Sequence, residues 1–600
     1  MSETSDPTGA DSAMGARRRA RALLLVCLVL LAAVALRLVY VQGIDPTGQA
    51  SKALDERLRS QVLTPERGSV LDRNGAVLAT SVRRYDLVVD QRLVKDFPEW
   101  DAESGEERMI DIDERIAQLS TAIGVSEKDL AERMKGDRPY SVVKRSVTPQ
   151  VRDLAMDLRV PGLIAEPVDR RTYPNGPVAG SILGFVSADG TAREGLELSQ
   201  NDALAGKAGK REYEVAANGL RIPNAVYNET PAVDGSDVEL TIDRDVQWYA
   251  QELIAAKAAD FDAEWANIVV LDAKTGEIVA MADSTTVDPA DPNGTDQLFW
   301  RPTAMTQAVE PGSTGKAVTM AAALDATDLT PLSEFTVPSS EEFHGQKIND
   351  ASPHAEYDMT LAGIFARSYN VGTVKAAEEM SLQERYEYMQ SFGIGEANQI
   401  GLPAAAAGML VPPEKWDNRQ RSTTAFGQAY TQTTLHTAQI YQALANGGEM
   451  VPASIIRSIV EPDGAEHAYP RREERRVVSE ETADEMLRMM ETVVTQGTSK
   501  RAAVEGYRVG GKSSTAQAAG PSGRYDGYNI GFTSVAPLDD PRFVVSVSMH
   551  RPGENYQGAR LDALSAELME HLLRKYNVPA TGDEPHDYKV FAEDPQDRPW

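Results

Sequence analysis

Val309-Glu310-Pro311-Gly312-Ser313-Thr314-Gly315-Lys316, continued by the Ala-rich segment Ala317 to Ala326, is the stretch around which the chain is organised. Pro311 and Gly312 stop and turn the incoming chain, and Ala, Val, Met and Leu then run for about three turns with no charge until Asp325. The pattern predicts a buried helix with Ser313 at its mouth. Residues three apart share a helix face, so Ser313 and Lys316 are expected to point the same way. A lysine desolvated beside a serine loses proton affinity and can take the hydroxyl proton, which makes the serine a nucleophile. Taken alone the spacing is common, and Ser141 and Lys144 repeat it.

The 600 residues exceed what one core organises, so two or more domains are expected. Sixty-one basic against 90 acidic residues leave a net charge of −29, which argues against nucleic acid as the main partner. The basic cluster Arg17-Arg18-Arg19 with Arg21 precedes the apolar run Ala22 to Leu36, resumed after Arg37 as Leu38 to Val41. About twenty such residues cross a bilayer as a helix. Positive charge before the span predicts residues 1–21 in the cytoplasm, 22–41 as a signal anchor and the rest outside. Arg37, near the outer end, can snorkel. Ala33-Val34-Ala35 matches a signal-peptidase site, but the apolar run continues past it, which favours a retained anchor. Cys27, the only cysteine, lies inside the span, so the exported part has neither disulfides nor a cysteine metal site.

Residues 42–235 carry no catalytic cluster. Thr64 to Ala79 contains Asn74-Gly75 between apolar pairs, a strong hairpin-turn signal, with Arg67, Asp72 and Arg73 placed to form ion pairs locking it to another segment. Glu107 to Lys135 reads as a helical, solvent-rich surface subdomain. Arg171 to Gly176, Ile182 to Val186 and Arg193 to Glu197 read as turns around short β-type runs, extended and non-compact, fit for a spacer or docking surface.

Composition shifts near Asp234. A strand at Asp237 to Asp243 leads into an amphipathic helix from Val246 to about Phe261. Asn267 to Asp272 and Glu277 to Ala282 form a hairpin whose two-sided apolarity predicts a central place in a covered sheet. After a helical middle region, strands are expected at Tyr507 to Ala518, Asn529 to Pro537 and Arg542 to His550, then a helix at Leu561 to Tyr576. Strands from both ends around a helical middle give an α+β domain over 236–578, one antiparallel sheet flanked by helices. The acidic, Pro-bearing residues 579–600 are expected to be disordered.

Two further clusters follow Ser313 in order. Ser368-Tyr369-Asn370 offers a hydroxyl and a carboxamide on one loop, able to pass a proton and hold an amide. Gly510-Gly511-Lys512-Ser513-Ser514-Thr515 opens a strand whose lysine and hydroxyls can bind a carboxylate and whose amides can complete an oxyanion hole. Each has a decoy, such as Ser199-Gln200-Asn201, but the ordered set does not. The chain resembles the penicillin-recognising serine transpeptidases, whose signatures are Ser-x-x-Lys, Ser-x-Asn and Lys-Thr-Gly or Lys-Ser-Gly. Separations of 55 residues from Ser313 to Ser368 and 144 from Ser368 to Lys512 resemble those of class B penicillin-binding proteins. Pro65-Glu66-Arg67-Gly68 through Asn74-Gly75 and Arg193 to Glu197 resemble signatures of their β-rich, elongated pedestal (dimerisation-type) domain; Phe426-Gly427-Gln428 and Thr515-Ala516-Gln517 resemble further blocks.

The resemblance implies a peptidoglycan D,D-transpeptidase inhibited by β-lactams, with no metal or organic cofactor. It implies Ser313 as nucleophile, Lys316 as its base, Ser368 with Lys512 as proton relay, and Asn370 holding the acyl-chain amide and Lys316. Ser513, Ser514 and Thr515 would bind substrate, and the amides of Ser313 and Thr515 would hold the oxyanion. Implied partners are stem peptides and their lipid-linked precursor, the membrane, a glycan polymerase of the SEDS (FtsW-type) family and other divisome proteins. Two positions depart from the family: Ser514 and Ala429 stand where glycine is usual, and Ser514 is expected to alter β-lactam binding. The pedestal signatures and Arg-rich anchor resemble the septal enzymes of high-GC Gram-positive bacteria, with an elongation enzyme or a catalytically impaired, β-lactam-binding division scaffold as alternatives. A β-lactamase, suggested by Glu414 and Asn418, leaves the pedestal unexplained, and a P-loop fails because position 310 is Glu and position 317 Ala. His344 and His354 lack metal-ligand spacing and are expected to be surface or structural residues.

Overall fold

The computed structural model describes residues 9–44, 57–101, 105–215, 221–519, 524–582 and 584–593. The chain forms two compact units, one of residues 1–65 with 207–233 and one of 66–206 with 234–600. In the first, the predicted apolar span lies in a helix, Gly9–Val39, with one further turn to Ile44. Its stretch from Gly15 to Gly43 is long and apolar enough to cross a membrane and is exposed among the described residues. The same unit holds a three-stranded sheet in the order Leu58–Leu63, Gly209–Val215, Arg221–Thr230.

The second unit contains a seven-stranded sheet made from distant parts of the sequence. Asn74-Gly75 makes the expected turn, with Gly75 at φ +79°, between Val70–Leu71 and Val77–Val89. Val70–Leu71 pairs in parallel with Asp237–Leu240, which pairs antiparallel with Ile456–Val460. Val77–Val89 pairs with both Ser141–Val147 and Leu163–Thr172. Strands from either side of residue 235 therefore share one sheet. Helices Ile112–Ile123 and Glu127–Met134 bury Ile116, Leu119, Leu130 and Met134 with Leu87 and Val143 in a core of their own, so this segment is less solvent-rich than its charges suggest.

Arg67 does lock its hairpin to another segment. Its guanidinium and that of Arg171 lie 2.7 Å and 2.6 Å from the two oxygens of Glu197, whose side chain is fully buried. Arg73 reaches Glu277 at 3.0 Å, whereas Asp72 accepts backbone N–H groups of Asn74, Ala76 and Arg244 and so shapes the turn. The run Ile182 to Val186 is a correction: Gly180–Leu183 is a helical turn, and Ile182, Leu183 and Leu196 lie in the same core as Ala317 and Val318. Two apolar pairs, Ile182-Leu183 and Phe185-Val186, split by Gly184 suit a buried helical turn as well as a strand.

The predicted α+β domain is a five-stranded antiparallel sheet in the order Ile278–Asp283, Trp265–Asp272, Phe543–His550, Tyr525–Ala536, Gly510–Ala519. Helices Arg244–Asp260 and Leu561–Lys575 cover one face; Thr434–Ala445, Glu480–Thr495 and the serine helix cover the other. Ile278–Asp283 is an edge strand rather than a central one, yet every residue in it is buried, because chain packed beside and over the edge replaces a neighbouring strand. The expectation of disorder in the C-terminal tail is also corrected as far as residue 593, residues 594–600 lying outside the described residues. Tyr588, Val590 and Phe591 are buried in the main core, and Thr360 N–H donates to the Val590 carbonyl at 3.2 Å.

Removing Glu197 leaves two arginines facing an uncompensated site, so Glu197→Ala should lose about 3–5 kcal/mol in urea unfolding. Arg92→Ala, whose pair with Asp90 holds a 57% exposed arginine, should leave stability nearly unchanged in the same measurement.

Candidate active site

Ser313 sits in a tight turn, Gly312–Gly315, that runs directly into the helix Lys316–Ala326. Lys316 to Leu324 are all buried, as an apolar sequence on every face requires. Two glycines bring the turn against its neighbours. Gly312 N–H donates to the Gly427 carbonyl at 2.8 Å, and a Cβ on Gly427, at φ +87°, would stand 1.8 Å from the Gly312 oxygen. A Cβ on Gly312 would lie 3.1 Å from the Thr515 carbonyl, so turn and strand touch where the sequence predicts.

Ser368 caps the helix Leu361–Arg367 in a left-handed conformation, φ 62°, which turns its hydroxyl back toward Ser313. Ser368 Oγ donates to Ser313 Oγ at 2.9 Å. Lys316 Nζ donates to the Ser368 carbonyl at 2.6 Å, to Asn370 Oδ1 at 2.8 Å and to Ser368 Oγ at 3.3 Å. The lysine is fully buried, and among the described residues no carboxylate stands within ion-pair distance of its Nζ. Burial pulls its pKa down to about 7, the charge of Asp350 opposing the shift. Lys512 is also fully buried, over the Phe365 ring at 5.7 Å. Burial and then the neighbouring Lys316 charge push its pKa well below the ordinary lysine value. Ser313, Lys316, Ser368, Asn370 and Lys512 therefore come together from three separated stretches.

The strand Gly510–Ala519 is the free edge of the sheet. Side chains alternate along it: Lys512, Ser514 and Ala516 are buried, while Ser513 is half-buried and Thr515 exposed on the open side. Ser513 Oγ lies 3.1 Å from Thr498 Oγ1. Ser514 does not join Ser513 and Thr515. Its hydroxyl donates to the Pro311 carbonyl beneath the strand, in space left by Gly312, where a Cβ would come within 2.7 Å of Ser514 Oγ, and opposite Gly531. Ser514 thus ties the Ser313 turn to the strand. Ala429 stands at φ +63°, a left-handed conformation that favours glycine, and its N–H donates to Glu310 Oε1 at 2.9 Å.

Several site residues carry no spacing signal. Tyr525 donates to Glu310 Oε1 at 3.1 Å, and burial pushes the Glu310 carboxyl pKa up. Asp350 accepts the N–H groups of Asn370 and Val371, and His354 packs beneath Tyr369, a structural role as expected from the sequence. Tyr441 O–H donates to the Thr314 carbonyl at 3.1 Å. Adjacency of Glu310 to the turn and the Phe426-Gly427-Gln428 block were the only available hints.

A serine hydroxyl bonded to a second serine, itself bonded to a buried lysine of lowered pKa, beside a free sheet edge, defines a serine acyl-transfer site. Residues 266–570 match the penicillin binding protein transpeptidase domain, and residues 62–240 match the penicillin-binding protein dimerisation domain. The chain is 34% identical to the penicillin-binding protein PbpB of Mycolicibacterium smegmatis, over 93% of this chain and 90% of the relative. It is 30% identical to the peptidoglycan D,D-transpeptidase FtsI of Escherichia coli, over 93% and 92% of the two chains. Among solved structures, a peptidoglycan synthetase from Bifidobacterium adolescentis superposes with a TM-score of 0.73 at 33% identity, covering 89% of this chain and all of its own. Penicillin binding protein 3 from Mycobacterium tuberculosis, complexed with aztreonam, does so with a TM-score of 0.68 at 28% identity, over 88% and 100%. The chain belongs to the class B penicillin-binding proteins, with a transpeptidase domain behind a pedestal domain.

An alanine held left-handed costs roughly 1–2 kcal/mol, so Ala429→Gly should raise stability by about 1 kcal/mol in urea unfolding. Ser514→Ala should lower it by about 1 kcal/mol through the lost bond to Pro311.

Proposed function

We propose that the protein cross-links peptidoglycan stem peptides during septal wall synthesis, through an acyl-enzyme at Ser313. What carries this is the bonded series Ser313 Oγ, Ser368 Oγ, Lys316 Nζ, with the lysine pulled to a pKa of about 7. Ser313 Oγ attacks the carbonyl carbon of the penultimate D-Ala, and its proton passes to neutral Lys316, with the Ser368 hydroxyl standing between them. The carbonyl oxygen becomes an oxyanion held by the amides of Ser313 and Thr515. The peptide C–N bond then breaks, the leaving amine takes a proton back through Ser368 with Lys512 nearby, and D-Ala departs. An amine of a neighbouring stem attacks the ester, the C–O bond breaks, and Ser313 regains its proton as the new amide forms. Asn370 holds the acyl-chain amide, while the hydroxyls of Ser513 and Thr515 and the free edge of their strand receive the substrate carboxylate and extended peptide.

β-Lactams acylate the same serine in this reading. Residues 236–578 are the catalytic domain and 42–235 the pedestal, without a linker between them. The basic cluster before the apolar helix supports a cytoplasmic N-terminus with the catalytic domain outside. There it works with lipid-linked precursor, a SEDS-type glycan polymerase and other divisome proteins. The septal role is supported by similarity over nearly the whole chain to PbpB and FtsI.

A fluorescent penicillin should label the parent protein covalently and leave Ser313→Ala unlabelled; labelling of Ser313→Ala would remove the assignment. Because neutral Lys316 is the base, the acylation rate should climb as pH rises through about 7 and level off above it, which stopped-flow acylation across pH checks. Depletion in the native cell should give filaments or unseparated cells, and rounded cells would place the enzyme in elongation instead.

A further inference from the structure

Behind the Ser368-Tyr369-Asn370 loop lies a polar and aromatic column centred on Asp350 and His354. At its centre the Asp350 side chain is fully buried. One of its oxygens accepts the N–H groups of Asn370 and Val371, the first of the helix Asn370–Ala377, and so fixes where that helix begins. Its other oxygen lies 2.9 Å from His354 Nε2, while His354 Nδ1 lies 2.6 Å from the Ala355 carbonyl. Asp350 is thus held by a backbone pair on one side and by the His354 ring on the other. The neighbouring Asn349 carbonyl accepts Asn370 Nδ2 at 3.0 Å, leaving Asn370 Oδ1 aimed at Lys316. Backbone and side chain of Asn370 are thus both set by the 349–350 corner.

The column continues through rings to the end of the chain. Tyr369 stacks on His354 at 4.0 Å and 8°, His354 on Tyr357 at 5.8 Å, and Tyr357 meets the edge of Phe591 at 5.5 Å. Next to Phe591, the Val590 and Lys589 carbonyls accept from Thr360, whose hydroxyl caps the helix that ends in Ser368. That helix carries Gly363 against the strap, and a Cβ there would stand 1.9 Å from the Val590 oxygen. The C-terminal strap therefore braces the start of the helix whose end presents Ser368, and the ring column braces the residue between Ser368 and Asn370.

We infer that Asp350, His354 and the strap Lys589–Phe591 are positioning residues that hold Ser368 and Asn370 in register with Lys316. The inference rests on the acyl-transfer reading of Ser313. Displacing a reacting group by about 1 Å costs on the order of 10²-fold in rate while leaving binding to remote contacts intact. The loss should therefore fall on the acylation step, k2, and not on the preceding dissociation constant.

The test is rapid-mixing acylation of the full-length protein in detergent by a fluorescent penicillin, resolved into Kd and k2, beside the melting temperature of each variant. Asp350→Ala should lower k2 by about 30-fold or more with Kd within about threefold, and Asp350→Asn, which keeps the acceptor oxygen, should recover part of that loss. His354→Phe keeps a ring to stack but lacks the nitrogens that reach Asp350 and the Ala355 carbonyl, and should lower k2 to an intermediate degree. Phe591→Ala should lower k2 by about 5-fold, with Phe591→Tyr restoring it. Should Asp350→Ala not fold, His354→Phe and the Phe591 pair decide the matter. Parent labelling with unchanged k2 in these variants, whatever their melting temperatures, overturns the inference alone. An unlabelled parent overturns the acyl-transfer reading and the inference with it.

Discussion

A primary amine buried in a protein core with oxygen dipoles but, among the described residues, no carboxylate against it is the constraint on which the rest of the site depends. Taking a charged ammonium out of water costs several kcal/mol, and Lys316 meets that cost by bonding to three oxygens and by giving up its proton near neutrality. Each acceptor must be delivered at a fixed place. Ser368 supplies two of them only because it adopts a left-handed turn at a helix end, and Asn370 supplies the third because its own helix starts at one particular residue. The Ala-rich helix matters for the same reason: small side chains let it lie deep enough to carry Lys316 into the core.

The second lysine sharpens this economy. Lys512 enters from the sheet and Lys316 from the helix, each making it harder for the other to stay charged. Burial and mutual repulsion thus both favour the neutral amines.

How far the sequence foretold this varies with how local the cause was. The turn at Asn74-Gly75, the serine helix and the three C-terminal strands follow from residues next to one another, and all stand close to where they were expected. The direction of Ser514 was legible in principle, since a strand's period of two puts it on the side of Lys512, not of Ser513. Asp350 and His354 were not legible, because a lone aspartate and a lone histidine have no spacing to betray them. Tyr588 to Phe591 were hidden by the acidic residues around them, and Ile182 to Val186 by looking equally like strand or buried turn. Tertiary packing decided those cases.

One sheet built from Val70–Leu71, Asp237–Leu240 and Ile456–Val460 bears on how the protein comes into being. A ribosome delivers these strands in sequence order, and the first waits for a partner about 167 residues behind it, which in turn waits for one more than 200 residues later. Until residue 460 has been made, the growing chain carries an unsatisfied strand edge, open to pairing with another copy. The helical core around Leu119 and Leu130 is complete within residues 87–163, so what waits for the later chain is the shared sheet alone.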